Sequence, residues 1–89
     1  MRSAVLDIGV TRADALFASA LQRSDEPSAG QVRQAIAEAI GGLGDLGCAG
    51  RVAQAFGEDP ETAVARMRWA RAAVAGAFGE TGAGRYRVG

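Results

Sequence analysis

The chain holds few residues able to do chemistry, and their types limit it further. Histidine is absent and Cys48 is the single cysteine. Without a histidine base or a second thiol, the usual nucleophile–base couples and tetrahedral zinc sets cannot be assembled. We therefore expect no enzyme: no catalytic residue, no metal site and no cofactor. Asp14, Asp59 and Glu61 fall at expected helix starts, where capping accounts for carboxylates. Gly82-Ala83-Gly84 neither follows a strand nor opens a helix, which argues against a phosphate-binding loop. Cys48, beside an expected helix start, would be a redox sensor if its pKa were depressed. Its residue type favours a small buried apolar side chain instead.

The remaining chemistry is that of recognition. Trp69, the only tryptophan, shares a helical stripe with Thr62, Arg66 and Ala73, roughly 160° from the centre of the apolar stripe at about 100° per residue. A Trp beside an Arg suits a binding hot spot, the indole filling a partner pocket and the guanidinium stacking or pairing at its rim. The structural alternative packs Trp69 against the first helix or the Gly-rich bend, with Arg66 and Arg71 solvated or ion-paired.

These side chains need a scaffold, and the composition indicates which. Eighty-nine residues make one small domain, which buries only about 60% of the surface its unfolded chain exposes, so dimerisation would help it. Twenty alanines favour close-packed helices, and we expect an all-α fold. All ten basic residues are Arg, and Lys and Asn are absent, a bias associated with GC-rich coding. The net charge is zero, so nucleic-acid binding would need a local basic patch. No apolar run approaches the roughly 20 residues that span a bilayer, and no secretory leader pattern opens the chain. A cytoplasmic location is the expectation.

Four helices are expected in a domain over 11–78. Residues 1–10 would be a disordered leader or an arm, and 79–89 a flexible Gly-rich tail. Thr11 would cap a first helix over about 12–23, with Asp14 at N3 and Leu16, Phe17, Ala20 and Leu21 facing inward. Ser28 and Gln31 have capping-box spacing and open a second helix marked by Val32, Ile36 and Ile40. Gly41 and Gly42 would stop it, with a bend over 43–50. A third helix over about 48–56 would bury Val52 and Phe56 and end on a left-handed Gly57. Asp59 and Pro60 would start a fourth over about 60–78, with Ala63, Met67, Ala70, Val74 and Ala77 inward and Val64 and Phe78 at the edge.

Arg51 to Val74 resembles the helix-turn-helix of region 4 in bacterial sigma factors and of related response-regulator output domains. Ala53, Gly57, Thr62, Arg66 and Ala70 match at the same spacing, while Ala63, Met67 and Val74 fill its buried positions. The chain is also similar, over a longer stretch, to short actinobacterial helical proteins with the same PETAVARMRWAR core, which implies a lineage and no activity. The resemblance implies a second helix entering the major groove. That side offers Glu61, Val64, Ala65, Arg68 and Ala72, in which Arg68 alone suits a base or phosphate, and Glu58 and Asp59 stand where phosphate would approach.

Two functions follow as expectations. The first is a regulatory or adaptor protein that binds a protein partner, such as transcription machinery, or itself as a homodimer, through Thr62, Arg66 and Trp69. The second is a DNA-binding regulator using Arg66, Arg68 and Arg71, with Arg85 and Arg87 gripping phosphate. Neither calls for a membrane or a small-molecule substrate.

Overall fold

The computed structural model describes residues 8–79. Among these the fold is all-helical: α1 (Ile8–Ala18), a single 3-10 turn (Arg23–Asp25), α2 (Ala29–Glu58) and α3 (Pro60–Phe78). Each helix packs on the other two.

The second and third expected helices run together as α2, two helical segments joined across a kink, because the Gly-rich stretch interrupts the chain at one residue only. Helix α2 runs through Gly41 and Gly42, breaks at Gly44 (φ 75°, ψ 169°) and resumes at once. A helical glycine costs about 1 kcal/mol relative to alanine, a deficit that packing offsets: Val32, Ile36, Ala39 and Cys48 are buried along α2. Its start is as expected, with the Ser28 hydroxyl accepting from Gln31 N at 3.1 Å and Gln31 Oε1 accepting from Ser28 N at 2.8 Å.

Gly57 is not left-handed; among the described glycines only Gly44 and Gly79 have positive φ. The helix passes through Gly57 to Glu58, and Asp59 serves as the last cap of α2 and the first of α3. The turn expected around Gly57 is thus one residue long. Asp59 Oδ1 accepts from Thr62 N at 3.3 Å and Oδ2 from Thr62 Oγ1 at 2.9 Å, and Pro60 follows, where a missing N–H costs nothing. Helix α3 keeps the expected bounds.

Helix α1 corrects the expectation at both ends. Residues 8–10 are helical, Thr11 lies inside the helix, and the helix ends at Ala18. The rest of the expected leader (1–7) and the tail beyond Gly79 lie outside the described residues. Asp14 is therefore mid-helix and half-buried. Burial raises its carboxyl above the usual range, and Arg71 opposes the rise.

The core joins Leu16 and Phe17 of α1 to Val32, Ile36 and Cys48 of α2 and to Ala63, Met67, Ala70, Val74 and Ala77 of α3. Leu16 and Cys48 have no exposed surface; burying a side chain such as Leu16 contributes about 1.5–3 kcal/mol. Ala20 and Val64 face solvent instead, the latter 42% exposed. The Cys48 thiol donates to Ala39 O at 3.7 Å. Its pKa is raised by burial, then by Asp14 and Asp45, with Arg51 opposing, which disfavours the reactive thiolate.

Candidate functional site

Helix α1 stops at Ala18 with its last carbonyls lacking helical partners; Ser19 N and Oγ donate to Leu16 O at 3.1 and 2.7 Å, and α3 supplies further donors. Arg66 reaches across so that Nε donates to Phe17 O at 2.9 Å. Its Nη2 lies 3.3 Å from Leu16 O, 3.0 Å from Ser19 O and 2.9 Å from Leu21 O. A cation at a helix C-terminus also complements the helix dipole. Burial lowers the Arg66 pKa from its ordinary value, but a guanidinium keeps its charge through such a shift.

The same guanidinium stands between two aromatic rings. Its central carbon is 5.5 Å from the Phe17 ring centroid and 5.1 Å from that of Trp69, within cation–π range. Phe17 in turn stacks on Phe56, with centroids 6.2 Å apart and planes at 19°. Trp69 is half-buried and packs at the edge of the core. The ring thus borders a cation whose N–H groups reach four carbonyls.

Two shallow pockets meet at this side chain. One, of about 190 Å³, is lined by Gln22, Arg23, Thr62, Ala65, Arg66 and Trp69. The other, of about 290 Å³, has Phe17, Ala55 and Ala63 with Glu58 and Asp59, and shares Thr62 and Arg66 with the first. Thr62, Arg66 and Trp69, grouped on one stripe by the sequence, therefore line one concavity. Their roles differ: Thr62 is exposed with its hydroxyl donating to Asp59, Arg66 is turned inward, and Trp69 is partly exposed. Gln22, Arg23 and Phe17 belong to the same site, and no local pattern marks them, because Arg66 finds its partners 45–50 residues away in the chain.

The residues considered for DNA separate. Arg68 and Arg71 are exposed, as are Glu61, Val64, Ala65 and Ala72 beside them, whereas Arg66 points to the carbonyls of α1. Arg71 is also the cation that acts on Asp14. Glu58, Asp59 and Glu61 are exposed at the start of α3. Arg85 and Arg87 lie outside the described residues.

At the other end of α3, Arg33 Nη1 donates to Ala77 O at 2.7 Å, and Arg12 lies 3.8 Å above the Phe78 ring. Among the described residues no three His, Cys, Asp or Glu side chains converge to hold a metal ion. No helix there is long and apolar enough to cross a membrane. A further pocket of about 340 Å³, between the segment after α1 and the middle of α2, has Glu38 as its one ionisable lining residue. Comparison of the chain with known protein families, curated proteins and solved structures gives no match.

Proposed function

We propose that this chain is a non-enzymatic regulatory or adaptor module that binds a protein partner, or a second copy of itself, through the concavity lined by Thr62, Arg66 and Trp69. The observation that carries this reading is the placement of Trp69, partly exposed at the edge of the core beside an Arg66 that is itself tied to four carbonyls. An aromatic already held in place loses little rotamer freedom on binding, so more of its burial appears as affinity. The apolar walls at Ala65 and on the Phe17 side, with charged Arg23 and Glu58 nearby, suit a side chain inserted from a partner. Transcription machinery is the partner class that the likeness of Arg51 to Val74 to a helix-turn-helix suggests.

The test is Trp69→Ala, read by sedimentation velocity over a concentration series and by partner capture, with circular dichroism to show that the helices survive. We expect loss of association by at least about tenfold, as befits a hot-spot residue worth more than about 1.4 kcal/mol. Unchanged self-association and unchanged capture by a folded variant defeat the reading.

A second reading, a DNA-binding regulator, rests on the exposure of Arg68 and Arg71 on α3. It dispenses with Arg66 and sets two cations against Glu58, Asp59 and Glu61. Anisotropy of labelled random-sequence duplex at low and near-physiological salt checks it. A steep salt slope that falls by about one per phosphate contact in Arg68→Ala supports it; absence of binding at low salt removes it.

A further inference from the structure

Gly44 divides the chain into two pieces, α1 with the first part of α2, and the second part of α2 with α3. The hydrogen bonds and ring contacts described above between distant parts of the chain all cross that residue. Arg66 bonds to Leu16, Phe17, Ser19 and Leu21; Phe56 stacks on Phe17. Arg33 reaches Ala77, Arg12 covers Phe78, and Cys48 donates to Ala39. Two complementary halves are thus joined at a hinge one residue long.

The hinge conformation, φ 75° and ψ 169°, is one that essentially glycine alone adopts. Both flanks are already helical, so rotation of Gly44 into the helical region would make α2 one uninterrupted helix of 30 residues, about 45 Å long. That opening separates the two halves and uncovers the core. The surface complementary to each uncovered half is the other half of a second copy, since every contact it lost is available there.

We propose that Gly44 is the hinge of a domain exchange, in which two copies straighten α2 and each packs its residues 45–79 on residues 8–43 of the other. Exchange of identical elements is a low-cost route to dimers because the closed and exchanged forms share their contacts. Two features at the hinge fit the exchanged form. Leu46, two residues beyond Gly44, is 88% exposed in the single chain, although nothing in the monomer uses it; in the dimer it lies where the two straightened helices meet. Gly41, Gly42 and Gly50 have open space where a Cβ would stand, which leaves room for a second helix to approach closely. Each Trp69 concavity would then be built by two copies, with Gln22 and Arg23 from one and Thr62, Arg66 and Trp69 from the other. The exchange is independent of what that concavity binds.

The test is Gly44→Ala, which disfavours the bent form and favours the helical one. Light scattering after size exclusion should shift the population from one chain mass to two, with helicity unchanged by circular dichroism. Mixing isotopically labelled and unlabelled chains before refolding then locates the Phe17–Phe56 contact by filtered NMR. Between copies, that contact supports exchange. A folded monomeric Gly44→Ala overturns the proposal, as does a dimer whose Phe17–Phe56 contacts stay within each chain. Should Gly44→Ala fail to fold, the unaltered chain is refolded at millimolar concentration and measured in the same way. A dimer with the contact between copies supports the proposal, and monomer alone, or a dimer without that contact, overturns it.

Discussion

Gly44 and Asp59 each interrupt the helical run at a single residue, but by different means. At Asp59 the local chain closes the joint: its two carboxylate oxygens accept from the amide and the hydroxyl of Thr62, and Pro60 pre-sets the next turn. At Gly44 the backbone merely takes a dihedral pair open to glycine, and no side chain is anchored there. What keeps that joint bent is packing across it: the buried Cys48 thiol on Ala39 O close by, and farther off the guanidinium of Arg66 on carbonyls at and just after the end of α1. One joint is stiff because of its own residues, the other because of the packing that it permits.

The comparison is broken most severely at Arg66. Arg66→Met keeps much of the side-chain volume but removes every donor that α3 sends to the end of α1, and hydrogen bonds to a charged group are worth about 1.5–3 kcal/mol. We expect a loss of roughly 3 kcal/mol in urea unfolding monitored by circular dichroism. A loss under about 1 kcal/mol would mean that the Gly44 bend is held by the apolar core alone. Asp59→Ala comes next, with an expected cost of about 1 kcal/mol for a lost N-cap. Its measurement is the denaturant midpoint at an unchanged slope, since both helices persist. Gly57→Ala is the smallest change and has the opposite sign: Gly57 is helical and a Cβ there meets nothing, so the variant should gain about 0.5–1 kcal/mol. A destabilised Gly57→Ala would restore a left-handed turn before Asp59 and remove the contrast between the joints.

The joint that closes locally is also the one legible in the sequence. Asp59-Pro60 and the Ser28–Gln31 pair announce helix starts through contacts three residues apart, and the apolar stripe from Ala63 to Ala77 follows from helical period alone. Glycines proved poorer guides. Gly41, Gly42 and Gly57 look like stops, but glycine permits a break without requiring one, and within α2 only Gly44 makes it. The end of α1 is only half legible for a related reason: Ser19 closes it locally, its amide and hydroxyl donating to Leu16 O, but a lone Ser is a weak signal, and the other donor, Arg66, stands some 45–50 positions away. Spacing grouped Thr62, Arg66 and Trp69 on one stripe, and they do line one concavity. Which of them turns inward depends on α1, a helix distant in sequence.

The shared cap at Asp59 also governs which changes of chain length the fold can absorb. The same residue closes α2 and opens α3, so no slack lies between the helices. One residue inserted or deleted there would turn α3 by about 100° relative to α2, carrying Met67 and Val74 out of the core and Arg66 off the end of α1. Variation in length is therefore expected among descendants of this chain in the segment between Ser19 and Ser28, and not at the α2–α3 junction.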